Sequence, residues 1–76
     1  MKYYKLREIG AETTWLYIVD DYNVIVEAYK KTDIDNISET YLSDIGQNIR
    51  LIYKNYCRKG YQWSILSKEE FFIEIL

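Results

Sequence analysis

The chain has 76 residues and a formal charge of −2, from 12 acidic and 10 basic side chains. That length allows one domain, residues 1–76, and the near balance of charge supplies no global field for nucleic acid or an anionic membrane. No apolar run is long enough to cross a bilayer, and Met1-Lys2-Tyr3-Tyr4-Lys5 leads into no apolar segment that would make a secretory signal.

Residues 3–9 alternate loosely and predict a strand, followed by a turn over Gly10 to Thr13. Residues 14–20 are rich in β-branched and aromatic types and predict a second strand. Asp20-Asp21-Tyr22-Asn23 reads as a polar turn, and Val24 to Lys31 as a third strand closing an antiparallel meander. With a hairpin loop of two or four residues, Trp15, Tyr17 and Val19 share a face with Val24, Val26 and Ala28. Leu16, Ile18, Ile25, Glu27 and Tyr29 then form the other face. That second face is apolar enough to require a cover, from this chain or from another molecule.

Thr32 to Asn36 is a polar connection, and Asn36 with Glu39 matches a capping box. Leu42, Ile45, Ile49, Ile52 and Tyr56 recur at helical spacing, so a long amphipathic helix is expected across residues 36–58. Gly46 lies inside it, and Ser43-Asp44 offers a second start, so one helix or two remain open. Gly60 marks the end. Tyr61 to Leu66 reads as a short strand or an extended linker. Ser67 and Glu70 form a capping box for a final helix, Lys68 to Leu76, with Leu66 placed to staple onto Phe71; a last strand over Phe71 to Leu76 is the alternative. The expected class is α+β: a three-stranded antiparallel meander, a long helix, a short fourth strand or linker, and a short C-terminal helix.

The chemistry is limited by what is missing. Histidine is absent and cysteine occurs once, at Cys57. Ser-His-Asp and Cys-His catalysis and Cys/His zinc sites are therefore excluded within one chain. A lone cysteine makes no internal disulfide and fits a reducing cytosol. Asp33, Asp35, Asn36 and Glu39 alternate oxygens as a calcium loop does, but position 38 is Ser where such a loop needs glycine. The three glycines are isolated, so no phosphate-cradling loop exists. No enzyme, metal or cofactor is implied. Nine tyrosines against two phenylalanines suit an interaction surface as well as a core. Arg50, Lys54 and Arg58 fall at i, i+4, i+8 and predict a basic ridge bordered by Tyr53 and Lys59. Asp20, Asp21, Asp33, Asp35, Glu39 and Asp44 form an acidic stretch, and charge so divided suits steering toward a protein.

The order of elements, the lack of histidine and proline, and the closing segment Ser67-Lys68-Glu69-Glu70-Phe71-Phe72 resemble small phage-encoded inhibitors of the anti-CRISPR type. The resemblance implies a non-enzymatic protein that occludes a site on a host defence or regulatory complex. It transfers no residue role, and the ten basic residues depart from the strongly acidic members of that set. The expected function is a protein-binding module. Its anchors would be Tyr22 at the hairpin tip, and Tyr29, Leu16 and Ile18 on the second sheet face, with rim charges Asp20, Asp21, Arg50, Lys54 and Arg58. The alternatives are a homo-oligomeric scaffold that pairs this sheet face with itself, or a nucleic-acid-binding regulator that uses the basic ridge.

Overall fold

A computed structural model describes residues 1–76. Three segments rich in alternating bulky side chains form β1 (Lys2–Glu8), β2 (Thr13–Val19) and β3 (Ile25–Thr32). They pair as an antiparallel meander. Asp20 closes the second hairpin: its carboxylate accepts from the N–H of Tyr22 at 2.8 Å and of Val24 at 3.0 Å. Asn23 completes the turn at φ 66°, a left-handed conformation that asparagine tolerates.

The sheet does not stop at three strands. The short β4 (Glu39–Thr40) pairs with β3, and β5 (Tyr61–Leu66) pairs with the outer side of β1. The strand order is β4-β3-β2-β1-β5, antiparallel throughout. The expected meander followed by a long helix is thus overturned. The molecule is a five-stranded antiparallel sheet carrying two eight-residue helices, α1 (Ile49–Tyr56) and α2 (Lys68–Ile75).

The long helix fails for backbone reasons. Ile45 is extended and Gly46 sits at φ 89°, so no helix passes through them. Instead, the Gly46 N–H donates to the Ile25 carbonyl, and the Ile25 N–H to the Gln47 carbonyl, both at 2.8 Å. Residues 46–48 therefore satisfy the open edge of β3, an obligation that outweighs the helical spacing of the side chains. Leu42 enters a single 3₁₀ turn, Leu42–Asp44, and stays 75% exposed. Asn36 lies at φ 52° in a turn, so it caps nothing. The true N-cap is Asn48, whose side chain accepts from the Arg50 N–H at 2.9 Å.

The face assignment also needs one correction. Val19 stands opposite Ile25, and a bulge at Val26 restores the register so that Ile18 meets Glu27 and Tyr17 meets Ala28. Ile25 therefore joins Trp15, Tyr17, Val19 and Ala28 on the first face, and Val26 is pushed to the surface.

Each face has its own helix. On the first, Ile49 and Ile52 of α1 pack with Leu6, Tyr17, Val19, Ile25 and Ala28. On the second, Phe71 of α2 is fully buried against Leu16 and Ile18, with Tyr3, Tyr29, Leu66 and Ile75 around it. The predicted capping box starts α2: the Glu70 N–H donates to Ser67 Oγ at 3.1 Å, and the Ser67 N–H to Glu70 Oε1 at 2.8 Å. Near its end, Glu74 accepts from Lys5 of β1 at 2.7 Å, with Lys31 of β3 at 3.6 Å. These ion pairs clamp α2 across the sheet.

Phe71→Ala removes the one fully buried side chain of α2. It is expected to destabilise the fold by about 3–5 kcal/mol, read from the shift of a urea unfolding curve. Lys5 holds the Glu74 carboxyl below its ordinary value of 4.5. A carboxyl depressed in this way contributes stability above its unfolded value and loses it as pH falls through the folded one. Below pH 4.5, therefore, the stability of Glu74→Gln is expected to fall less steeply than that of the wild type, measured by unfolding curves at successive pH values.

Candidate protein interface

The second sheet face is covered by α2, and this overturns part of the predicted site. Leu16 is 0% exposed and Ile18 8%, so neither presents a surface to a partner. Tyr29 is half-buried, its ring 6.4 Å from that of Phe71, and its truncation would act on the core. Tyr22 is 82% exposed at the hairpin tip beside exposed Asp21, while the Asp20 carboxylate is committed to the turn. The basic ridge is shortened. α1 ends at Tyr56, because Cys57 leaves the helical conformation (ψ 59°). Arg50 and Lys54 remain on the helix, and the Arg58 guanidinium instead lies 5.3 Å from the Tyr61 ring centroid and 5.8 Å from that of Tyr56.

Two concave regions flank α1 on the first sheet face. The larger, about 370 Å³, is lined by Glu8, Trp15, Tyr17, Tyr41, Asp44 and Tyr61 among others. Two of its hydroxyls donate to its carboxylates. Tyr17 Oη donates to Asp44 at 2.7 Å, and Tyr61 Oη to Glu8 at 3.0 Å. Lys30 Nζ stands 5.8 Å from the Trp15 and Tyr41 centroids. The bond from Tyr17 to Asp44 ties the 3₁₀ turn to the sheet.

The other flank is different. A groove of about 330 Å³ runs between α1 and β5, lined by Tyr4, Tyr53, Trp63, Ser64 and Ile65. It continues into a second hollow of about 250 Å³ that shares Tyr4, Tyr53 and Trp63 and adds Lys2 and Arg50. Trp63 is fixed in place, its indole N–H donating to the Tyr56 carbonyl at 3.1 Å, one of the carbonyls left open at the end of α1. The Tyr53 ring meets Trp63 edge-on at 5.5 Å and is 52% exposed. Ile65 is 79% exposed. Rigid aromatic side chains lose little entropy on contact.

The charged side chains that line this surface, Lys2 and Arg50, are both basic. Residues 45–68 contain Arg50, Lys54, Arg58, Lys59 and Lys68 and no aspartate or glutamate. These residues comprise α1, the following loop and β5. The acidic side chains that follow, Glu69 and Glu70, begin α2 on the opposite face, where Glu70 is occupied by Ser67. The sequence flagged Arg50, Lys54 and Tyr53 but not Trp63 and Ile65. The uncharged run Tyr61 to Leu66 beside a stretch without carboxylates was the available signal.

No family model matches the chain, and no curated protein or solved structure matches it either. Nothing positive in the site or in these comparisons indicates an enzyme. No helix is long and apolar enough to cross a membrane.

Burial and the bond to Asp44 push the Tyr17 phenol far above its ordinary value of 10.0. A group raised in this way keeps its full stabilising effect below the unfolded value and loses it as pH rises beyond it. Tyr17→Phe is expected to cost about 1 kcal/mol near neutral pH, because Asp44 loses its donor. The same variant is expected to flatten the decline in stability above pH 10 that the wild type shows in unfolding curves.

Proposed function

We propose that the protein is a non-enzymatic protein-binding module that engages its partner through the groove between α1 and β5. The observation that carries this reading is the aromatic-aliphatic surface of Tyr53, half-buried Trp63 and Ile65, which continues into a hollow lined by Lys2 and Arg50. Binding hot spots concentrate in aromatic and arginine side chains of this kind, and the surrounding charge steers encounter. Occlusion of a site on a host defence or regulatory protein, the action of the phage inhibitors that the sequence resembles, requires only a surface and a rigid scaffold. A module of this kind needs neither cofactor nor catalytic group.

The test uses two immobilised baits, the wild type and Arg50→Glu/Tyr53→Ala, in nuclease-treated lysate. One protein recovered in stoichiometric amount by the wild type is expected to drop by about 30-fold or more in affinity for the double variant. Arg50 is exposed and Tyr53 gives up only its edge contact with Trp63, so the double variant should stay folded with a melting temperature lower by only a few degrees. Equal recovery by both baits would remove this surface from the interaction. Recovery that disappears with nuclease would replace the protein partner with nucleic acid.

A further inference from the structure

The larger cleft on the first sheet face has a lining that the groove lacks. Leu6, Tyr17 and Ile52 give it a buried apolar base. Trp15, Tyr41, Tyr56 and Tyr61, all half-buried, supply aromatic walls. Glu8 and Asp44 are the only charged side chains that line it, and no lysine or arginine does. The other flank of α1 is the reverse, with Lys2 and Arg50 and no carboxylate in its lining.

Each carboxylate of the cleft is half used. Tyr17 donates to Asp44 Oδ2 and Tyr61 to Glu8 Oε2. Asp44 Oδ1 and Glu8 Oε1 accept nothing from the chain, and neither residue joins an ion pair. No buried side-chain oxygen lacks a partner, so both free oxygens are open to solvent. The four wall rings already draw cations. Lys30 Nζ stands 5.8 Å from the Trp15 and Tyr41 centroids, and the Arg58 guanidinium 5.3 Å from that of Tyr61 and 5.8 Å from that of Tyr56. Neither cation lines the cavity. They offset the two carboxylates in net charge, so selection rests on what lines the space itself. Aromatic rings and free carboxylate oxygens both attract a cation and both disfavour an anion.

We infer that this cleft binds an alkylammonium group: a protonated amine on a short aliphatic chain, carried by a free amine or by a lysine side chain of another protein. Its N–H groups donate to the free carboxylate oxygens in charge-assisted hydrogen bonds. The rings attract its charge, and its methylenes pack on Leu6 and Ile52. The cavity, about 370 Å³, lies within the range of small-molecule sites. A quaternary ammonium would meet the rings but offer the two oxygens no donor. The site lies across α1 from the groove and does not depend on the protein-binding reading.

The first probe is n-butylammonium chloride at neutral pH, where a primary amine is protonated. Binding is followed by NMR. The indole N–H of Trp15 is expected to shift with half-saturation at or below about 10 mM, while that of Trp63, outside the cleft, stays in place. Butan-1-ol, tetramethylammonium chloride and potassium chloride are each expected to bind at least about tenfold more weakly. Glu8→Gln/Asp44→Asn keeps an acceptor for both tyrosine hydroxyls but removes both charges, and is expected to weaken butylammonium at least about tenfold. Tyr41→Leu, which keeps an apolar side chain but removes a ring, is the second variant should the double one fail to fold, and is expected to weaken it as well. A blocked glycine-lysine-glycine peptide separates the sources. Tighter binding than butylammonium assigns the cleft to a protein's lysine, and weaker or equal binding to a free amine.

Equal binding of the alcohol, the quaternary ion or potassium overturns the proposal. So does a shift confined to Trp63, no saturation by about 100 mM butylammonium, or unchanged affinity in either folded variant.

Discussion

Two short helices have to cover both faces of a five-stranded sheet, and the rest of the structure follows from how far they reach. An eight-residue helix is about 12 Å long. Five strands at about 4.8 Å spacing span about 19 Å. One helix per face can seal the middle of the sheet but not its margins. Burial falls accordingly. All but one residue of β2, the central strand, is buried, whereas in β5 none is. The core is compact around β2, and bulky side chains that find no place there collect at the border of the sheet.

This geometry explains why tyrosine is so abundant. A margin that is half covered suits a side chain with an apolar body and a polar tip. Tyr17 and Tyr61 spend their hydroxyls on Asp44 and Glu8 on one side of α1. On the other side the Tyr53 ring stays half exposed against the partly buried Trp63. The two flanks of one helix thus differ in exposure: Tyr17 is 1% exposed, Tyr53 52%. The less enclosed groove, rather than the cleft, is the surface proposed to meet a partner.

The parts of the fold legible in the sequence were those set by near neighbours. The meander is written in alternating residues and in the Asp20–Asn23 turn. The start of α2 is written in Ser67 and Glu70, three positions apart. What was not legible depends on distant backbone. The stripe Leu42–Tyr56 has helical spacing, yet the edge of β3 claims residues 46–48 for hydrogen bonding. The bulge at Val26 reverses face parity and moved Ile25 to the opposite side from the one that alternation gave it. Leu16 and Ile18 looked available because nothing local announces that α2 returns over them. For the site, charge and Tyr53 were readable from helix spacing, whereas the openness of Trp63 and Ile65 depends on where β5 pairs.

The pairing of β5 with β1 also bears on how the chain assembles. β1 gains its second neighbour, and Leu16 and Ile18 gain their cover, only from residues 61–75. A chain emerging from the ribosome therefore carries an incomplete sheet, with one apolar face open, until those residues are available. Domains dominated by such non-local pairings fold in roughly milliseconds to seconds, slower than helical bundles of the same size. During that interval the outer edge of β1 is itself a bare strand, and its interior lysine and arginine, Lys5 and Arg7, are the charges that guard it against pairing with the wrong neighbour.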